Sequence, residues 1–177
     1  MARSREGERA AFDVLVKRHF DAVATYASKV LRDEDRALEV TQETFVRAFR
    51  YRESYREDAG SVRGWIFSIA ANRIRDAARR RRDAPESLEL AAEPVAASED
   101  ALLSFARGAV RETVLAALDD LPAEYKEVVL LKYIQDLTYE EVARALGLTV
   151  GAARMRALRA RDLLARRLAG LVEERPK

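Results

Sequence analysis

The stretch that most narrows the fold is residues 64–82, GWIFSIAANRIRDAARRRR. Wound at 3.6 residues per turn, it places Ile66, Ile69, Ala70, Ile74 and Ala77 on one side. Asn72, Arg75, Arg79 and Arg82 fall on another. This pattern predicts a helix seated on an apolar core with a cationic face turned away from it. Two readings of that face fit. It is a solvated surface whose arginines favour the negative end of the helix dipole, or a surface laid against a polyanion.

The same period recurs along the chain. Phe12, Leu15, Val16, His19, Val23, Tyr26, Ala27 and Val30 predict a first helix with one buried stripe, broken by the charged residues 32–36. A second helix is expected over about 38–52. Its expected inner face is Leu38, Thr41, Phe45, Ala48 and Phe49, with Glu39, Gln42, Glu43 and Val46 outside. Residues 53–63 are polar, contain Gly60 and read as a loop. Three helices with short connections can close a small core. Residues 83–105 hold Pro85, Pro94, acids and small residues, and read as a flexible or extended linker with some local helix near 99–106. From about Val110 the helical pattern resumes through Val114, Leu115, Leu118 and Leu121. Pro122 suits the first turn of a further helix, with Val128, Val129 and Leu131 as its core. No segment alternates with the period of a strand. The expected fold is all-α: an N-terminal helical bundle over 1–82, an acidic flexible linker over 83–109, and a C-terminal helix-turn-helix domain over 110–177.

Charge supports that division. The net charge is only +2, yet residues 1–82 carry 19 Lys and Arg against 13 Asp and Glu. Residues 83–109 carry one Arg against six acids, and residues 110–177 carry 12 basic against 11 acidic side chains. With no Cys, disulfides and thiolate metal sites are excluded. No run of about eighteen apolar residues is present to cross a membrane, and the N-terminus lacks the apolar core of a signal peptide, so a cytoplasmic protein is expected. His19 is the single His and lies on an apolar helix side, which suits a structural role. There is no phosphate-binding Gly-rich loop and no HExxH, so neither an enzyme nor a cofactor site is expected.

Residues 138–164, TYEEVARALGLTVGAARMRALRARDLL, read as a helix-turn-helix. Thr138 and Glu141 have the spacing of a capping box. Val142, Ala143 and Leu146 face inward, and small Ala143 lets two helices cross closely. Gly147 supplies the turn, Leu148 tucks into the core and Thr149 caps the next helix. An ordinary helical hairpin also fits this pattern. On the second helix Ala153, Ala157, Ala160 and Leu164 share the inner face. Gly151, Met155, Leu158 and Arg159 lie opposite, with Arg154 nearby. If that face meets a major groove, the arginines donate to guanine or phosphate, and Met155 and Leu158 meet thymine methyls or sugar edges.

Taken in order, the segments FDVLVKRHF, VTQETFVRAF, GWIFSIAANRIRDAARRR, ALDDLPAEYKEVVLLKY and LTYEEVARALGLTVGAARMRALRAR resemble the two-domain extracytoplasmic-function group of bacterial RNA polymerase sigma factors. The resemblance covers nearly the whole chain. It implies that VTQETF docks on the clamp helices of the largest subunit of core RNA polymerase, through Glu39, Gln42 and Glu43. The family usually has an acidic pair just before that segment, of which this chain keeps Glu39 and replaces the other by Leu38. The loop 54–64 and the Trp65 helix resemble the part that handles the −10 promoter element, where a base flipped from the non-template strand is captured. This implies roles for Ser54, Tyr55, Asn72, Arg75, Arg79 and Arg80, with Tyr51 and Trp65 as nearby aromatics. Trp65 is read as a core residue ahead of a stacking one. The C-terminal domain resembles the −35 reader, which implies duplex contacts by Ala152, Arg154, Met155, Leu158 and Arg159. The family often has Thr-Val where this chain has Ala152-Ala153. The resemblance implies an anti-sigma factor as a further partner, and a linker that threads the RNA exit path. The acidity of that linker fits a mimic of nucleic acid and equally a solvated spacer. A helix-turn-helix regulator acting without polymerase is the alternative, and VTQETF followed by an Asn-bearing basic helix has no place in it.

Overall fold

A computed structural model of the chain describes residues 9–82, 114 and 116–173. They form α1 (Arg9–Leu31), α2 (Glu34–Arg50), α3 (Val62–Arg82), α4 (Ala123–Val129), α5 (Tyr139–Leu146) and α6 (Val150–Glu173), with no strand among the described residues. The linker, the local helix near 99–106, Val110 and Leu115 lie outside the described residues, as does the side chain of Arg82.

Helix α1 buries Phe12, Leu15, His19, Val23, Tyr26 and Ala27, the stripe its periodicity predicts. The chain then breaks sharply. Arg32 takes a left-handed φ of 52°, and the Asp33 side chain caps α2 by accepting from the Arg36 backbone N–H at 3.0 Å. The break is therefore shorter than the charged stretch 32–36, and α2 starts at Glu34, with Glu34 and Asp35 facing the positive end of its dipole.

The inner face of α2 corrects the expectation. Ala37, Val40, Thr41, Thr44, Phe45 and Ala48 are buried, whereas Leu38 is 47% and Phe49 37% exposed. Two threonines can sit inside because each hydroxyl donates to a carbonyl one turn back: Thr41 to Ala37 at 2.6 Å and Thr44 to Val40 at 2.7 Å. Once these polar atoms are satisfied, the stripe through Val40 and Thr44 competes with the one through Leu38, and hydrophobicity alone misplaces it. Phe49 keeps an edge contact with Phe12, ring centroids 5.1 Å apart. Helix α2 ends at Arg50, and the loop that follows is made of two 3₁₀ turns, Arg52–Ser54 and Glu57–Ala59.

Helix α3 is buried on two sides. Ile66, Ala70 and Ile74 are buried as expected, and Phe67 widens that face, its ring 5.7 Å from that of Tyr26 on α1; Ala71 is also buried, at 1% exposure. The second side is covered by α5, so α3 lies between the N-terminal bundle and the helix-turn-helix. Trp65 is half-buried, its ring 5.6 Å from that of Tyr55.

In the C-terminal part, Pro122 occupies the N-cap of α4, and Val128, Val129 and Leu131 are buried. The end of α4 widens into a π turn, Leu130–Ile134, closed by Gln135 N–H to Leu130 O at 2.9 Å. The capping box at Thr138 is present, and Gly147 ends α5 at φ 67°, a left-handed value that suits glycine. Ala153, Ala157 and Ala160 of α6 are buried, and Leu164 is half-buried, on the inner face that the rotation predicts. Apolar residues from all six helices join one core. No described helix is long and apolar enough to cross a membrane.

Tyr26 is completely buried, and its hydroxyl has no hydrogen-bond partner among the described residues. Burying an unsatisfied hydroxyl costs about 1–3 kcal/mol. Tyr26→Phe removes that cost without altering the ring packing against Phe67. It is expected to raise stability by about 1 kcal/mol and Tm by about 2–4 °C, read by thermal unfolding at neutral pH.

Candidate nucleic-acid and polymerase interfaces

The helix-turn-helix is held at each joint by a cap. Thr138 Oγ1 accepts from Glu141 N–H at 3.2 Å while Glu141 Oε2 accepts from Thr138 N–H at 2.9 Å. Thr149 Oγ1 accepts from Ala152 N–H at 3.1 Å at the start of α6. With its alanine seam turned inward, α6 presents the opposite face to solvent. Arg154 and Arg159 are exposed there, with Met155 at 49% and Leu158 at 42% exposure, and Ala152 is half-buried beside them. Guanidinium donors flanking two apolar side chains on one projecting helix face match the acceptors and methyl groups of a major groove. Arg154 is also oriented from α5. It lies 3.7 Å from Glu140 Oε1, and its guanidinium sits 5.6 Å from the centroid of the Tyr139 ring, which Lys132 approaches at 5.2 Å. The sequence reading missed Tyr139, because a residue next to an N-cap carries no sign of what its ring will face.

A second surface lies on α2. Leu38, Glu39, Gln42 and Val46 are exposed on one side of it, Val46 at 59%. This is a mixed acidic and apolar face, suited to a partner helix. Glu43 stands at its edge and is half-committed elsewhere. Its Oε2 accepts from Arg73 Nε at 2.8 Å and lies 2.5 Å from a second Arg73 nitrogen. Arg73 is itself buried and reaches Asp76 at 3.0 Å, which in turn pairs with Arg79 at 3.2 Å. Glu43 therefore ties α2 to α3 as well as bordering the exposed face.

The residues expected at the −10 element divide into three groups. Ser54, Asn72, Arg79 and Arg80 are exposed. The Ser54 hydroxyl donates to Tyr51 O at 2.7 Å, and Asn72 Oδ1 accepts from Arg75 at 2.6 Å. Tyr55 is only 5% exposed and donates to Gly60 O at 3.0 Å, so in this conformation it is a scaffold for the loop. Arg75 is half-buried, donating to Ala145 O at 2.7 Å and Leu146 O at 3.3 Å. Those are the last carbonyls of α5, which have no partner inside the helix and lie at its negative end.

The other end of α5 is gripped as well. Glu141 Oε1 accepts from the backbone N–H of Ser61 at 3.0 Å and from the Ser61 hydroxyl. Arg63 donates to Gln135 Oε1 at 2.8 Å. The sequence marks Glu141 as a cap for its own helix. Its second role spans 80 residues of chain and has no local signature.

Two family models match the chain: sigma-70 region 2 over residues 15–84, and sigma-70, region 4, over residues 111–164. Over 175 residues the chain is 34% identical to the RNA polymerase sigma factor CarQ of Myxococcus xanthus, covering 98% of this chain and 97% of that one. The chain belongs to the extracytoplasmic-function sigma factors of the sigma-70 family. It is similar, too, to the ECF RNA polymerase sigma factor SigE of Mycolicibacterium smegmatis, at 34% identity over 163 residues, 89% of this chain and 63% of that one. Among solved structures it resembles CnrH in complex with the cytosolic domain of CnrY, with a TM-score of 0.66, 29% identity, and 98% and 96% of the two chains covered. The protein is thus a sigma factor that binds core RNA polymerase and directs it to promoters. It does so by binding, without catalysing a reaction of its own.

In this sigma factor burial pushes the Glu141 carboxyl up, but hydrogen bonds from Ser61 and Thr138 outweigh it and hold the group below its ordinary 4.5. A carboxylate with a depressed value contributes stability that is present above the ordinary value and is lost as pH falls through the depressed one. Wild type is therefore expected to lose more stability than Glu141→Gln as pH is lowered below 4.5, read by thermal unfolding of both across pH.

Proposed function

We propose that the two promoter elements and the polymerase are read by three separate surfaces of this sigma factor. The carrying observation is the outward face of α6, where Arg154, Met155, Leu158 and Arg159 project opposite a fully buried alanine seam. That face, with Ala152, enters the major groove at the −35 element. Arg154 and Arg159 donate to base edges, and Met155 and Leu158 pack on thymine methyls. The domain over 110–177 supplies this reader, the domain over 1–82 the other two surfaces, and the segment 83–109 connects them.

Glu39, Gln42 and Glu43 dock on the clamp helices of the polymerase largest subunit, with exposed Leu38 and Val46 adding apolar contact. Ser54, Tyr55, Asn72, Arg75, Arg79 and Arg80 hold the non-template strand of the −10 element. A flipped base is captured near Asn72 while the arginines follow the phosphates. Strand opening is then driven by tighter binding of the separated strand than of the duplex, with no nucleotide hydrolysis by this chain. The work takes place in the cytoplasm, where polymerase and chromosome meet. An anti-sigma factor is the regulatory partner.

Transcription of genomic fragments by the cognate core polymerase, with and without this chain, tests the reading as a whole. New discrete starts preceded by a shared pair of upstream elements are expected. Salt-sensitive duplex binding by the chain alone, with no new starts, would favour a regulator acting without polymerase. Arg154→Ala and Arg159→Ala should each cost about 1–3 kcal/mol per lost base contact and relax the −35 preference at that position. An unchanged preference contradicts the assignment. Asn72→Ala should impair strand opening, read by permanganate reactivity of unpaired thymines, more than initial binding, read by gel shift. Equal losses in the two assays count against the pocket.

A further inference from the structure

Arg73 belongs to the Arg-rich helix α3 yet is buried, and a charged side chain is seldom buried unless it is paired. It is paired twice. Asp76, one turn along the same helix, accepts from Arg73 Nη1 at 3.0 Å. Glu43, across on α2, accepts from Nε at 2.8 Å and lies 2.5 Å from Nη2. Both contacts with Glu43 fall on one oxygen, Oε2. Its Oε1 is used by neither, and the Glu43 side chain is 40% exposed where that of Arg73 is 10% exposed. The guanidinium is thus set by its own helix and reaches out to hold a carboxylate by one edge. Both residues lie in a groove between α2 and α3 that Glu39, Val40 and Ala77 also line. Glu39 is exposed, and at four residues from Glu43 it stands one turn along the same side of α2.

We propose that Arg73 is a positioning residue for polymerase docking: it fixes Glu43 through Oε2 and leaves Oε1 for the polymerase. The proposal rests on the reading of Glu43 as a docking residue, and the test below separates the two. An untethered glutamate on a helix surface samples several rotamers, and docking costs the freedom that it then loses. Held by charge-assisted bonds to Arg73, Glu43 has given up that freedom before the polymerase arrives. The charge of Arg73 acts in the opposite direction. It is a cation beside an acidic docking face, so charge alone predicts tighter docking once it is removed. Positioning predicts weaker docking, and the sign of the effect distinguishes the two. A plain tie between α2 and α3 makes a third pattern. Its loss would displace the whole outer face of α2, Glu39 included, whereas loss of positioning touches Glu43 alone.

Equilibrium binding of the fluorescently labelled full chain to cognate core polymerase, read by anisotropy, tests this. Arg73→Met keeps most of the buried volume and leaves the partly exposed Glu43 carboxylate hydrated, so its far-ultraviolet circular dichroism should match wild type. Its Kd for polymerase is expected to rise about tenfold, the cost of immobilising one long side chain at an interface. Arg73→Lys keeps the cation but offers a single ammonium to two carboxylates, and should show a smaller loss in the same direction. It carries the same comparisons should Arg73→Met unfold. In the Arg73→Met background, Glu43→Gln should add little, whereas Glu39→Gln should add its full effect as a single variant. Binding by Arg73→Met as tight as wild type or tighter, while Glu43→Gln alone is weakened, overturns the positioning role and leaves Glu43 a docking residue. Undiminished binding by Glu43→Gln alone removes the docking assignment and the proposal with it. Loss of the Glu39→Gln effect in the Arg73→Met background means that α2 as a whole has moved, and overturns the proposal in favour of a structural tie.

Discussion

The structure depends on helix α3 being buried from two directions. Ile66, Phe67, Ala70 and Ile74 belong to the buried core, Phe67 against Tyr26 of α1, while α5 packs on the neighbouring side of the helix, where Gly64 meets Glu141 and Arg75 meets the last carbonyls of α5. A helix with two apolar sides has little circumference left for polar residues, and here that remainder holds Asn72, Arg79 and Arg80. The contact with α5 differs in kind from the bundle core. Its edges are accordingly polar. Hydrogen bonds from Ser61, Arg63 and Arg75 frame the apolar contact, and such bonds can be exchanged for water or phosphate at small net cost.

Glu141 and Arg75 each serve this contact and a local one as well. Glu141 completes a local capping box and closes a contact 80 residues away in sequence. The two roles use different oxygens, Oε2 for Thr138 and Oε1 for Ser61. Arg75 donates to the terminal carbonyls of α5 and to Asn72 Oδ1. Both acceptors are negative ends of dipoles or charges, which is why one guanidinium suits each. By contrast, Arg73 is buried and pairs with the carboxylates of Glu43 and Asp76.

Much of this was legible in the sequence, for identifiable reasons. The helices of each half follow from apolar period. The inward alanines of α6 are marked by spacing alone, and the capping box at Thr138 by residue type at a fixed offset. On α2, Thr41, Phe45 and Ala48 were placed inside correctly, but Thr44 was missed because its hydroxyl is satisfied by Val40 O, a bond that a hydrophobic pattern cannot register. The second buried side of α3 was also missed. It is marked by Gly64 and Arg75, but nothing local says that a helix more than 60 residues away will meet them. The long-range bonds of Glu141 and Arg75 are invisible for the same cause. Their residue types already have a sufficient local or DNA-binding explanation.

Hydrogen–deuterium exchange of the full chain, alone and then with core polymerase and promoter DNA, tests the central claim most directly. The relevant amides are those of Ser61, whose N–H donates to Glu141 across the contact, and Gly64, whose N–H donates to the Ser61 hydroxyl. Strong protection in the free chain, lost when the chain is loaded on polymerase and promoter, is what the account predicts. Equal protection in both states would mean that α3 and α5 never part, and would contradict it.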